Sequence, residues 1–299
     1  FSGSDFNPTI LTGLSADELY NFFPDPIWDD YAQNHIQATN SQLPWTIFYN
    51  AIYQTNLAVE GLQNSGLPTT EKDHYIGEAK FIRAYSYFYL VNLFGEVPLL
   101  TSTNVSQNAK AARASIPVVY NQIVQDLTDA GNLLGKDYSF TGGQHTRADK
   151  WVALALLARI YLYQKDWANA ENLASHVIDS GNYSLLTDLD SFAIQNNPEA
   201  ILQLANNAND GNLEAGSFIF TTSPSLLCTN SLLSAFEPGD QRRNKWIDSA
   251  VYQGSVYYFP TKYKVVGSGG NEYYTILRLS EQYLIRAEAR AEQGDIQGA

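Results

Sequence analysis

Two stretches combine aromatic rings with planar polar side chains, the mixture that suits capture of a sugar or a peptide. In NFFPDPIWDDYAQN (21–34), Phe23, Trp28 and Tyr31 stand beside Asp29, Asp30 and Asn34. Pro24 and Pro26 interrupt any regular helical stripe there, so Trp28 is expected to be displayed rather than packed. In the second stretch Trp246, Tyr252, Tyr257 and Tyr258 surround Arg242, Arg243 and Gln253. A sugar ring lays its C–H face on an aromatic ring, while its hydroxyls take hydrogen bonds from planar polar groups. The candidate ligand-binding residues are therefore Phe23, Trp28, Asp29, Tyr31, Asn34, Arg242, Trp246, Tyr252, Tyr257 and Tyr258. Trp45, Trp151 and Trp167 fall at helix-packing positions and are read as structural.

Catalytic readings find less support. His35, His74, His145 and His176 show no metal-ligand spacing, and no HExxH occurs. Asp29 and Asp30 are adjacent, so they project differently, and a glycosidase couple should hold one carboxylate in an apolar pocket, so they are read as a solvated loop pair. NNANDGNLEAGS (206–217) has Gly211 where a calcium loop would turn. Ala208 occupies a ligand position, however, and no Glu stands at the last one. Cys228 is the one cysteine, which excludes an internal disulfide framework. Asn104-Val105-Ser106 and Asn182-Tyr183-Ser184 match the glycosylation sequon, a three-residue pattern short enough to recur by chance. No catalytic residue, metal or cofactor is expected.

The composition narrows the partners. The 299 residues carry a net charge of −13, which disfavours nucleic acid and anionic lipid because both repel an acidic surface. Aromatic residues make up 13%, more than a helix-rich core requires, so some rings are expected at the surface. No apolar run is long and charge-free enough to cross a bilayer, and FSGSDFNPTI has neither a basic nor an apolar export region. The chain contains no Met and stops just where a further helix should begin; the native protein is expected to extend beyond both ends.

The elements that must hold these residues are mostly helical. Ser15-Ala16-Asp17-Glu18 reads as a capping box opening a short helix. A second helix is predicted over 45–62, with Trp45, Phe48 or Tyr49, Ile52, Leu57, Val59 and Leu62 forming a buried stripe. A third runs over 71–94 in GEAKFIRAYSYFYLVNLFGEVPLLT, capped by Thr69 or Thr70, with Gly95 at an αL C′ position and Pro98 beyond. Its charged residues make it too polar to span lipid, and its rings surround most of its circumference. It should be a central strut, with Arg83 paired to a carboxylate. A fourth helix follows Ser115 and Pro117. Over 148–178, small and bulky residues have the spacing of a tetratricopeptide helix pair turning at Lys165-Asp166. That register recurs at Ala287, Asp295 and Ala299, each 129 residues after Ala158, Asp166 and Ala170. Between these parts lies an Asn-, Gly-, Ser- and Pro-rich region over about 183–274, with β-prone pieces at 217–222 and 256–263. The fold class predicted is mainly α: a tetratricopeptide-like helical scaffold with a long irregular, loop-rich insertion containing minor β.

GEAKFIRAYSYFYLVNLFGEVPLLT resembles the signature helix of SusD/RagB-type outer-membrane nutrient-binding proteins. Further motifs keep that family's order: Trp45-x3-Tyr49-x2-Ile52-x3-Asn56, Tyr120-x2-Ile123-x2-Asp126-Leu127, RADKWVALALLARIYLYQKDWANAENLASHVIDSGNYSL, FEPGDQRR and ILRLSEQYLIRAEARAEQGD. The resemblance implies a single SusD-like domain over 1–299, with tetratricopeptide-like units near 45–180 and 275–299 and a ligand-binding loop region near 183–274. It also implies a non-enzymatic, surface-exposed glycan-binding lipoprotein of the outer membrane, which delivers its ligand to a SusC-like TonB-dependent transporter. No lipobox cysteine is visible, so the lipid anchor is implied by the family alone, and family members differ most in their binding loops, so no contact residue transfers by motif. A peptide-binding member of the same family is the first alternative and an α/α glycoside hydrolase the second. An intracellular tetratricopeptide scaffold would carry its repeats in tandem.

Overall fold

Apolar residues spaced three and four apart account for the long helices of a computed structural model that describes residues 8–40, 43–206, 212–267 and 270–299. The helices are α1 (Pro8–Ser15), α2 (Pro26–Ala32), α3 (Trp45–Gln63), α4 (Thr69–Phe94), α5 (Val105–Asn108), α6 (Ile116–Leu133), α7 (Lys150–Tyr163), α8 (Trp167–Asp179), α9 (Leu213–Phe218), α10 (Asn230–Ala235), α11 (Gln241–Trp246) and α12 (Leu279–Glu292). The strands are short: β1 (Leu19–Asn21), β2 (Val97–Pro98), β3 (Arg113–Ala114), β4 (Ala200–Leu204), β5 (Leu226–Cys228), β6 (Ile247–Tyr252), β7 (Ser255–Pro260) and β8 (Tyr274–Arg278). The mainly helical class with minor β is thus the observed one. The chain divides into two units, one of 1–43, 186–197 and 204–274, the other of 44–185, 198–203 and 275–299.

The second unit is the helical scaffold. Within it α4 packs against α3 and α6, α7 against α6, α8 against α7, and α12 against α8. The predicted role of α4 is the observed one. Its rings Phe81, Tyr85, Tyr87 and Phe88 are buried, and so is Arg83. The Arg83 guanidinium donates to both oxygens of buried Asp126 on α6, at 2.8 and 2.6 Å, and to the carboxamide oxygen of Asn56 on α3 at 2.8 Å. One charge therefore ties three helices, and its desolvation is offset by fork-shaped pairing. At the α7–α8 turn, Lys165 has φ 59°, and the Asp166 carboxylate accepts from the Asn169 N–H to open α8. Ala158, Ala170 and Ala174 are fully buried there against Ile285 and Ala289 of α12, so small side chains let the helices approach.

Leu57, read into the buried stripe of α3, is 48% exposed, whereas Phe48, Ile52 and Val59 are buried. Three further local expectations need correction. α4 begins at Thr69, after Pro68 and without a side-chain cap, so neither Thr69 nor Thr70 caps it. Gly95 ends α4 with φ 70° but ψ −125°, outside the αL well, a pair of angles that a residue lacking Cβ tolerates. Ser15 closes α1 instead of opening a helix: Asp17 takes φ 59°, the Ser15 hydroxyl donates to the Tyr31 carbonyl at 3.1 Å, and the chain continues into β1.

The first unit is built from short pieces. β1 pairs antiparallel with β5, Leu19 opposite Cys228 and Asn21 opposite Leu226. Ile10, Leu11, Leu14, Leu19, Tyr31, Phe218 and Leu226 make one core. A second gathers Phe192, Ala193, Ala215 and Tyr263, with Trp246 and Tyr274 packed on it. The segment 217–222 completes α9 and then turns, so it is not a strand; the 256–263 prediction meets β7, which ends at Pro260. β6 and β7 form a hairpin whose two-residue turn, Gln253 (φ 50°) and Gly254 (φ 82°), has the left-handed geometry that matches strand twist. Residues 207–211 of the stretch read against a calcium loop, Ala208 and Gly211 among them, lie outside the described residues.

Candidate functional site

The hairpin alternation puts Tyr252, Tyr257 and Phe259 on one face and Tyr258 on the other, because Tyr257 pairs with Ala250, Tyr258 with Ser249 and Phe259 with Asp248. Phe22, just past β1 and held by its N–H on the Ser225 carbonyl at 2.8 Å, meets the first face. Its ring lies edge-to-face with Tyr257 at 5.1 Å and 80°, with Tyr252 at 5.8 Å and 89°, and with Phe23 at 4.9 Å and 88°. Phe220, just past α9, continues the cluster, 6.0 Å from both Tyr252 and Phe259. The rings grade outward: Phe259 is buried, Phe22, Phe220, Tyr252 and Tyr257 are half-buried, and Phe23 is 50% exposed. Tyr20 borders this surface: burial first, then the neighbouring Tyr257 and Cys228, raise its hydroxyl pKa above the ordinary tyrosine value. Edge-to-face pairs of this kind contribute about 0.5–1.5 kcal/mol each beyond their buried area, so the cluster holds its own shape.

The predicted residues separate accordingly. Phe23, Tyr252 and Tyr257, drawn from the two distant stretches, come together through Phe22. Tyr31 does not join them; it is 6% exposed and belongs to the core beneath, which is a correction to its reading as a displayed ring. Trp28 is half-buried against the same core, because Asp25 caps α2 (2.9 Å to the Ile27 N–H) and restores helix where two prolines suggested display. Trp246 packs on Phe192 at 5.7 Å, gives its indole N–H to the Leu189 carbonyl at 3.0 Å and has the Lys262 ammonium 4.7 Å from its ring. Arg242 is exposed and forks onto Asp240, the cap of α11, at 3.0 and 2.5 Å. Tyr258 carries the Arg243 guanidinium over its ring at 5.0 Å. Asn34 is exposed with φ 51° and donates to the Ser15 carbonyl at 3.1 Å; Asp29 lies half-buried in the first turn of α2. Phe22, Phe220 and Tyr20 were missed. The doubled Phe before Pro24 was the available signal, since the residue before a proline is pushed into extended backbone.

The surface offers apolar faces and phenol hydroxyls rather than a reacting group. Burial pushes the Cys228 thiol up to about 12, so it stays a thiol near neutrality. Asp30 accepts from the Asn40 carboxamide at 3.0 Å. Among the described residues no group of three or more His, Cys, Asp or Glu side chains could hold a metal ion, and no helix is long and apolar enough to cross a membrane.

A family model named SusD-like, described as "Starch-binding associating with outer membrane", matches residues 15–162. The SusD-like protein P38 of Formosa agariphila is 28% identical over 172 residues, which is 55% of this chain and 32% of that protein. Over these residues the chain is similar to SusD-like proteins. The starch-binding protein SusD of Bacteroides thetaiotaomicron is 28% identical over 140 residues, 46% of this chain and 25% of that one. The aligned part thus spans a third or less of these two SusD-like relatives. Surface glycan-binding protein A from Bacteroides fluxus has the same fold, with a TM-score of 0.82 at 22% identity, covering 98% of this chain and 73% of its own.

Proposed function

We propose that the protein captures glycan by stacking it on the ring cluster of Phe22, Phe23, Tyr252 and Tyr257, catalyses no reaction, and passes its ligand to a SusC-like TonB-dependent transporter. In this reading it works at the cell surface of the outer membrane, tethered by an N-terminal lipid. The observation that carries it is a cluster of rings rooted in the core and opening to a half-exposed Phe23 in a SusD-like chain. The family's description as starch-binding and outer-membrane-associated supports it, and so does the glycan-binding name of the B. fluxus neighbour.

The physical mechanism is preorganisation. Rings already locked by their neighbours lose little freedom when a sugar stacks on them, so modest apolar contact suffices for binding. Modest affinity also keeps dissociation fast, which hand-over to a transporter requires. Affinity electrophoresis in gels containing soluble starch, laminarin or xylan tests the proposal. At least one polysaccharide should retard the protein, and Phe23→Ala with Tyr257→Ala should remove the retardation while circular dichroism stays native. Retention of full retardation in that double variant, or free migration of the unaltered protein in every gel, overturns it.

A further inference from the structure

The segment that joins α6 to α7 grips α4 through one carboxylate that two cations can claim. Arg147 forks onto Glu78 of α4, its Nε donating to Oε1 at 2.7 Å and a terminal nitrogen donating to Oε2. One helical turn before Glu78, His74 is buried with its ring flat against Phe140 of the joining segment, 3.7 Å between centroids and 5° between planes. Its Nε2 lies 3.5 Å from Glu78 Oε1, and neither ring nitrogen has a hydrogen-bond partner among the described residues. The Arg147 guanidinium also covers the Tyr75 ring at 5.4 Å. Gly142 and Gly143, at φ 64° and 89°, turn the chain between Phe140 and Arg147.

A neutral imidazole leaves Glu78 to Arg147. Burial lowers the His74 pKa, Glu78 opposes that and Arg147 adds to it, so the ring is neutral above the ordinary value near 6.5. Glu78 on its own helix and Arg147 from the joining segment are the charged groups acting on it, and Tyr75 and Phe140 are the rings against it. An imidazolium formed there cannot reach water, because the His74 side chain is 5% exposed, whereas that of Arg147 is 39% exposed and can turn into solvent. A buried cation is tolerated only when paired, so the carboxylate passes to the imidazolium and the guanidinium is displaced. Moving towards Glu78 also takes the His74 ring out of its flat stack on Phe140. We propose that Glu78 is a shared acceptor, and that acidification transfers it from Arg147 to His74 and so releases the 139–144 turn from α4. The flanks stay fixed, because Tyr138 donates to the Ile201 carbonyl at 2.7 Å and the His145 Nδ1 meets the Ala200 carbonyl at 2.6 Å. The closed arrangement holds above about pH 6.5 and is lost as pH falls below it. No part of this rests on the glycan reading.

Amide hydrogen exchange read by mass spectrometry on the full 299-residue chain, at about pH 7.5 and about pH 5 and corrected for the intrinsic pH dependence of exchange, tests this. Peptides covering 139–144 should lose protection by about tenfold or more at the lower pH, while those from α12 keep theirs. His74→Gln should abolish that loss. His145 and Asp149, which face Tyr138 and Tyr183, remain in this variant, so a loss that persists in it overturns the proposal. Equal protection at both pH values in the unaltered protein overturns it as well. An NMR titration of the His74 ring in Arg147→Gln, which leaves His74 and its stack intact, gives a second readout. With the competing guanidinium gone, the midpoint should rise by about one pH unit, by the reciprocity of coupled binding. An unchanged or lower midpoint would show that the two cations do not compete for Glu78.

Discussion

Asp149 does two jobs that conflict. Its carboxylate caps α7 by accepting from the Val152 N–H at 2.9 Å, yet it is 1% exposed and its second oxygen has no partner among the described residues. Burial, only partly offset by the backbone N–H groups, pushes its pKa up to about 6. The folded state therefore holds this proton more tightly than the unfolded state, whose carboxyl has the ordinary value near 4, and stability falls as pH rises through that interval. Asp149→Asn keeps the capping oxygen and removes the charge. It should raise stability at pH 7 by up to about 3 kcal/mol, a gain that shrinks towards zero as pH approaches 4. Urea unfolding of both proteins across that range checks this; an equal gain at every pH would refute it. Comparing variant with parent also cancels His74 and His145, whose pKa values are lowered by burial and which act in the opposite sense.

α4 shows how an element can look like a ligand platform and be a strut. Its rings serve three neighbouring surfaces, and its one buried charge is matched by Asp126 and Asn56 from two other helices. Because the pair is buried, removing one partner strands the other. Asp126→Ala should cost about 3–5 kcal/mol, whereas replacing both Arg83 and Asp126 by apolar residues of similar volume should cost much less. Chemical denaturation of the single and double variants separates these outcomes, and equal losses in the two would contradict the argument. The β6–β7 hairpin is the element that positions the proposed site. Its turn geometry and register decide that Tyr252 and Tyr257, and not Tyr258, face Phe22.

For the molecule as a whole, a net charge of −13 is spread over a surface whose ring cluster carries no formal charge of its own. Glycan capture by stacking should therefore be nearly indifferent to salt. Affinity for a neutral polysaccharide is expected to change less than about twofold between 50 and 500 mM NaCl, because only charge–charge attraction is screened over that range. Affinity electrophoresis repeated at both salt levels measures this. A steep fall with salt would mean that Arg242 or Arg243, and not the rings, dominates binding.

Helices α3, α4, α6, α7 and α8 were legible because their hydrogen bonds and side-chain stripes are local, repeating every three or four residues. The need for a partner to Arg83 was equally legible, since desolvation of an unpaired guanidinium is prohibitive in any fold. Ser15 was misread because a local capping pattern cannot show that its hydroxyl goes to Tyr31 in another element. The partial burial of Trp28 and Trp246 was not legible for a related reason: how far a ring is displayed depends on which distant surface packs against it. The ring cluster itself needs β1 to pair with β5 across more than two hundred residues of chain, and the β6–β7 hairpin to face Phe22. The sequence by itself determined the scaffold, its central strut and the supply of aromatic residues. Only the tertiary structure decided which rings meet, because non-local pairing and its register follow from packing that no local period records.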